Sequence, residues 1–212
     1  MRRYTLADAF IQHADQVLRT LTPHAMPALR PNPALSQTAT DLNNQQQKNI
    51  AGLMRVNHTG EVCAQALYQG QALTAKLPTV REEMQRAALE EQDHLAWCED
   101  RIRELNSHTS VLNPVWYGLS FGIGAAAGLA GDKWSLGFVA ETEKQVCAHL
   151  DSHMQRVPQT DQRTHAILTQ MYADEHQHRE QALAAGGTEL PKPIKGLMGL
   201  VSKVMTKTSF YV

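Results

Sequence analysis

Glu91-Gln92-Asp93-His94 and Glu175-His176-Gln177-His178 decide how this chain folds. Each is a Glu-x-x-His, and each trails a lone Glu. Glu61 stands thirty positions before the first (91 − 61), and Glu143 stands thirty-two before the second (175 − 143). Helix positions i and i+3 share a face, so each Glu-x-x-His offers an oxygen and a nitrogen to one point. Four Glu and two His, one Glu from each of two helices and a pair from each of two more, form the ligand set of a di-iron or di-manganese carboxylate site in a four-helix bundle.

The neighbours of these residues argue against solvated surface positions. Glu61 falls in the stripe Met54, Asn57, Glu61, Ala64, Tyr68, Ala72, and Glu91 in Met84, Ala88, Glu91, Leu95, Cys98, Ile102, Leu105. Glu143 falls in Leu136, Ala140, Glu143, Cys147, Leu150, Met154, and Glu175 in Leu168, Met171, Glu175, His178, Ala182, Ala185. Spacings of three and four mark the core-facing side of a helix. A bare buried carboxylate costs several kcal/mol or gives up its charge. Four of them with two His call for cations.

Outward from this constellation, the 212 residues suffice for one domain with a sizeable core. The net charge of −1 gives no basic excess to suggest nucleic acid. Three cysteines without a C-x-x-C fit a reducing compartment and speak against a disulfide scaffold or zinc ribbon. Cys98 and Cys147 read as small core residues under the site. Met1-Arg2-Arg3-Tyr4 has no apolar run of the secretory kind, and Asp8 and Asp15 suit a transit peptide poorly.

The pattern predicts an all-α protein: a short helix over about 5–20, then bundle helices over about 48–76, 79–106, 133–156 and 160–185. Residues 31–47 read as a Pro-, Asn- and Gln-rich connector, extended or lid-like. Three parts follow: 1–47, an N-terminal helix and polar connector; 48–187, the bundle; and 188–212, a basic amphipathic helix. Tight turns at Pro78 and Pro158 join the bundle helices into two antiparallel hairpins. The link between hairpins is long, which is the ferritin-like arrangement. From Leu105 to Gly131 it carries no Asp, Glu, Lys or Arg, but Pro114 and five glycines interrupt it. It reads as a crossover with a Gly/Ala-rich helical piece that packs closely on another helix or lies in a membrane surface. Gly122-Ile123-Gly124-Ala125-Ala126-Ala127-Gly128 resembles a dinucleotide-binding loop only superficially, because no strand precedes it.

After Glu189 the chain has no acids. Lys192, Lys195, Lys203 and Lys207 alternate with Ile194, Leu197, Met198, Val201, Val204 and Met205 at helical spacing. The pattern fits either a terminal helix docked on the bundle or a membrane-surface helix.

Carboxylate-rich sites with one imidazole per metal suit iron or manganese. Glu61 and His94 are assigned to one metal, Glu143 and His178 to the other, and Glu91 and Glu175 to bridging positions. Glu90 and Asp174 each precede a bridging Glu and are candidates to hydrogen-bond the His rings. Solvated helix charges are the competing reading.

The stretch Arg55-Val56-Asn57-His58-Thr59-Gly60-Glu61-Val62, with Glu91-x-x-His94, Ala130-Gly131-Asp132-Lys133 and Asp174-Glu175-His176-Gln177-His178, resembles the demethoxyubiquinone hydroxylases. The resemblance covers about residues 50–212. It implies a membrane-associated monooxygenase of ubiquinone biosynthesis with two Fe ions per chain, held by Glu61, Glu91, His94, Glu143, Glu175 and His178. Its substrates would be O2 and a polyprenylated methoxy-methyl-benzoquinone hydroxylated on the ring, consuming two electrons from an NADH-derived donor, direct or through a reductase. Apolar faces around Tyr68, Leu95 and Leu150 are expected to wall the quinone channel. Other ubiquinone-biosynthesis proteins are candidate partners. The expected location is peripheral, on the cytoplasmic face of a bacterial inner membrane. Two alternatives stay open: a ferritin-type iron-oxidising or storage bundle, and a non-catalytic quinone- or lipid-binding scaffold.

Overall fold

The computed structural model describes residues 6–212, and among these it contains helices and no strand. The reading of Met1–Tyr4 therefore lies outside the described residues. Helix α1 spans Leu6–Leu21. A 3₁₀ turn, Pro33–Ser36, follows, with Asn32 as its cap. The bundle consists of α2 (Asn44–Thr74), α3 (Pro78–Glu104), α5 (Asp132–Arg156) and α6 (Gln162–Ala184). The crossover contains α4 (Asn113–Ala130), and α7 (Lys192–Tyr211) ends the chain.

Helix α2 begins earlier than its composition suggests. Asn43 accepts from the Gln46 amide, and the Gln46 side chain returns to the Asn43 N–H. This reciprocal cap satisfies two orphan donors and recruits the Gln-rich run into the helix. The boundary at 47/48 consequently falls inside a helix. The rest of the connector is tied to the bundle: Thr40 Oγ1 donates to the Thr160 carbonyl, and Arg163 donates to the Gln37 carbonyl.

Helix α4 lies against α2 at near-backbone distance. A Cβ on Gly124 would collide with the Leu67 backbone, and one on Gly70 would come within 2.8 Å of the Ala125 nitrogen. Gly124 and Gly128 of the crossover thus serve close helix packing against Leu67 and Thr74, as small-residue spacing implies. Gly131 turns the chain from α4 into α5 at φ 120, a region that disfavours side chains. Arg55 fixes the two additions to the bundle at one point. It donates to the His108 carbonyl and Ser107 Oγ at the crossover, and to the Phe210 carbonyl at the end of α7. No helix among the described residues is long and apolar enough to cross a membrane.

Below the site, Ile50, Leu53, Met54, Trp97, Ile102, Leu150, Ile167, Leu168 and Met171 form one apolar layer. Tyr68, Ala72, Met84, Ala88, Leu136, Val139 and Ala182 form another above it. The carboxylates lie between the two.

Candidate metal centre

All six residues singled out for the site are buried, each 5% exposed or less. Atoms of Glu61, Glu91, His94 and Glu175 converge within 4.8 Å of one another. His94 Nδ1 is 3.0 Å from Glu91 Oε2, 3.0 Å from Glu175 Oε1 and 3.8 Å from Glu61 Oε2. His178 Nδ1 is 3.1 Å from Glu91 Oε1 and 3.1 Å from Glu175 Oε2. Glu91 and Glu175 therefore each turn one oxygen toward each imidazole. Glu143, on α5 and outside that four-residue group, lies within reach of the charges of Glu175, Glu91 and His178 and accepts a hydrogen bond from the buried Tyr68 hydroxyl. Its neighbour Glu141 lies outside the cluster, beside Lys144 and Lys195.

The far side of each imidazole is held across the hairpins. His94 Nε2 donates to Asp174 at 2.8 Å, and His178 Nε2 donates to Glu90 at 2.6 Å. In each case the acceptor immediately precedes the opposite Glu-x-x-His. A carboxylate on the outer nitrogen fixes the ring and leaves Nδ1 facing the cluster.

Electrostatics follow from burial and crowding. Burial first, then the charges of Glu91 and Glu175, raises Glu61 well above the usual carboxylate range. Burial and the same two charges raise Glu143. Burial works against ionisation of Glu91 as well, but hydrogen bonds from His178 and His94 outweigh it and bring Glu91 down. Burial disfavours a charged His94 or His178. Carboxylate partners reverse that, raising His94 strongly and His178 to about 12. The cluster thus concentrates negative potential that attracts positive charge. Glu91 Oε1 is buried and faces His178 Nδ1 at 3.1 Å. An oxygen-rich, two-nitrogen donor set converging in a buried layer fits a pair of hard or borderline divalent ions.

Leu95 and Leu150, expected to wall a channel, are buried in packed layers, and Tyr68 reaches only a small cavity of about 30 Å³ beside His178. A cavity of about 250 Å³ lies instead between α2, α4, α5 and α7, lined by Val56, Leu67, Trp116, Phe138, Val201 and Met205 among others. Glu61 also lines it, with Asn57, Gly60, Thr142, Gln145 and His149. Stripe analysis finds core positions but cannot tell a packed face from one that four helices leave open. Leu119, Ile194 and Leu197 line the cavity and are exposed, so it opens between α4 and α7.

Sequence reasoning also missed Arg30. It contacts Asp93 and Asp174 and stacks over Trp97 with its guanidinium 5.0 Å from the ring. Its partners are 63 and 144 positions away, a separation no local pattern reports. Of the tail lysines, Lys195 is engaged by Glu189 at 2.7 Å and Glu141 at 3.7 Å.

Residues 48–209 match the family described as Ubiquinone biosynthesis protein COQ7. A protein of Acinetobacter baumannii strain ATCC 17978 is 62% identical over 212 residues, covering both chains completely. One from Ectopseudomonas mendocina is 61% identical over 211 residues, covering 100% of this chain and 98% of its own. One from Pseudomonas putida strain GB-1 is 60% identical with the same coverage. Each of the three is named 3-demethoxyubiquinol 3-hydroxylase. The chain belongs to the COQ7 family of ubiquinone-biosynthesis proteins.

Proposed function

We propose that this chain is a di-iron hydroxylase that places one oxygen atom from O2 on the ring of a demethoxyubiquinol. One observation carries the reading: Glu61 belongs both to the metal-fitting cluster and to the wall of the apolar cavity. A greasy substrate in the cavity would therefore present its ring directly to the cluster. The name of the relatives supplies the ring and its reduced state.

Glu61 and His94 would hold one iron, Glu143 and His178 the other, with Glu91 and Glu175 between them. A di-iron pair, when bound, supplies the electrons and the open coordination that activate O2. The balance is one O2, one ring C–H, two electrons and two protons giving one ring hydroxyl and one water. An NADH-derived donor, direct or through a reductase, would supply the electrons.

The protein's own residues do the rest. Asp174 and Glu90 orient the imidazoles, and Tyr68 orients Glu143. The apolar cavity wall keeps bulk water from the reacting ring, while Asn57, Gln145 and His149 offer polar contacts to ring oxygens. Leu119 and Leu197 are exposed where they line the cavity, and Val115, Leu129, Leu200 and Val204 are exposed on the same two helices, α4 and α7. That belt, flanked by Lys203 and Lys207, suits peripheral contact with an anionic membrane, and we place it on the cytoplasmic face. A polyprenyl chain would then pass from bilayer to cavity without crossing water.

The test is turnover with ¹⁸O-labelled dioxygen, reductant and a demethoxyubiquinol, read by mass spectrometry. One label in the hydroxylated ring is expected from the wild type and none from Glu175→Ala. Label found only in water, with the ring unchanged and iron merely oxidised, would replace this reading with a ferritin-type one.

A further inference from the structure

The two halves of the metal centre share a pattern but not an environment. On the His94 side, the acceptor Asp174 is only 15% exposed and is held three ways. Arg30 Nη2 donates to the same Oδ2 that His94 contacts, at 2.8 Å, and Gln170 donates to Oδ1 at 2.9 Å. Arg30 is itself fixed. Its Nε pairs with Asp93, and the backbone amides of Leu29 and Arg30 donate to the other Asp93 oxygen. Its guanidinium lies over Trp97, and Trp97 packs on the His94 ring at 5.6 Å. Farther along the same segment, His24 N donates to Glu99.

On the His178 side, the acceptor Glu90 is 41% exposed, and its ion pair with Arg86 is long at 4.0 Å. A small cavity of about 30 Å³ reaches this ring, lined by Glu90, Arg86, Gln181 and His178.

We propose that Arg30 is a positioning residue that clasps Asp174 onto His94, making the two metal positions unequal: firm at His94, labile at His178. This rests on the reading of the cluster as a metal pair. The physical reason is restraint. A ligand imidazole binds best when its outer hydrogen bond cannot swing, and loss of such support typically costs 10–100-fold in metal affinity. A guanidinium that bridges two carboxylates through separate N–H groups provides a restraint that a lone exposed Glu does not. The segment carrying Arg30 precedes the bundle helices and lies before the family match at residues 48–209, and the relatives align across it.

The experiment uses the full chain loaded anaerobically with ferrous ⁵⁷Fe. Release to an excess of a ferrous chelator is followed alongside Mössbauer spectra. The wild type should release one iron quickly and one slowly, and show two ferrous doublets. Arg30→Gln should accelerate the slow phase on the order of tenfold and shift one doublet only. Arg30→Lys, which restores charge but not the two-carboxylate bridge, should recover part of the slow phase. Arg103→Gln, a surface charge removal, should behave as wild type. Single-phase release from the wild type, or a slow phase unchanged by Arg30→Gln, overturns the proposal. Acceleration of both phases together, as general loosening of the bundle would cause, also overturns it. A wild type that binds no iron overturns it together with the metal-centre reading.

Discussion

Two pairs of buried histidines in this molecule behave in opposite ways. His94 and His178, within the cluster, are pushed toward the charged form. His58 and His153, beside the crossover and the cavity, are pushed down to about 4 by burial. The residue type and depth are the same, so depth alone does not set charge. What differs is the partner. His153 Nδ1 meets the amide oxygen of Asn57 at 2.8 Å, and His58 meets the Asn113 amide at 3.4 Å. His94 and His178 meet carboxylates on both ring nitrogens. The bundle therefore contains a layer that gathers positive charge next to a region that refuses it. A metal pair suits the first and a lipid-like quinol the second.

The sharpest break in this comparison comes from removing charge from the cluster. Glu143→Ala should lose at least one of two bound irons and lower product formation about a thousandfold or more, because a metal site missing a ligand loses both geometry and charge. Glu141→Ala, two positions away on the opposite side of α5, should retain both irons. Equal iron loss in the two variants, measured by elemental analysis, would overturn the ligand assignment.

Much of this was legible in sequence, for a definable reason. The six cluster residues lie on helices, and a helix repeats its faces every three to four residues, so Glu91 and His94 reveal their shared direction locally. Asp174 and Glu90 were legible as candidates because each adjoins a cluster Glu. The cavity was not legible. Its lining alternates among Gly60, Trp116, Phe138 and Met205 on four helices, and openness depends on how those helices are spaced. Nor was the start of α2, where Asn43 and Gln46 cap a run whose composition alone suggests disorder.

The cavity side can be tested without touching the cluster. Gly60 lines the cavity, and a Cβ there would meet nothing within 4 Å. Gly60→Leu should fill space beside Glu61 and lower kcat/KM on the order of a hundredfold while both irons remain. Leu in place of a mid-helix Gly should add roughly 0.5–1 kcal/mol of stability. Activity and melting temperature would move in opposite directions. Unchanged kcat/KM would remove this cavity as the substrate site.

A smaller effect concerns the neutral histidines. Unfolded imidazoles titrate near 6.5, whereas folded His58 and His153 titrate at about 4. Between these values the unfolded chain binds more protons, so stability is full above about pH 6.5 and falls as pH drops toward 4. Each group contributes on the order of 3 kcal/mol across that window. His153→Gln keeps a donor for Asn57 but cannot take up the proton. Its stability in urea should fall less steeply with acid than that of the wild type. Parallel pH profiles would show that His153 is not held neutral by the fold.

The smallest expected effect lies at the rim of the cavity, where the apolar region meets its surroundings. Deleting α7 would be a blunt probe, because Phe210 packs on Gly52 and its carbonyl binds Arg55, so the cut would also strip the cavity wall. Leu200 is a cleaner choice, being 60% exposed on α7 and absent from the cavity lining. A Leu moved from water into a bilayer interface contributes roughly 1.5–3 kcal/mol when fully buried, and a carboxylate in its place would be repelled by anionic lipid. Leu200→Glu should therefore weaken partition onto phosphatidylglycerol-containing vesicles on the order of tenfold, with iron content unchanged. Lys203→Ala should weaken it less, by about fivefold, and more so at low salt. Lys195→Ala should change it little, because that ammonium is already paired with Glu189 and Glu141. If Leu200→Glu sediments with vesicles as well as the wild type does, the apolar belt on α7 does not face the membrane, and the route by which the substrate enters must be sought elsewhere.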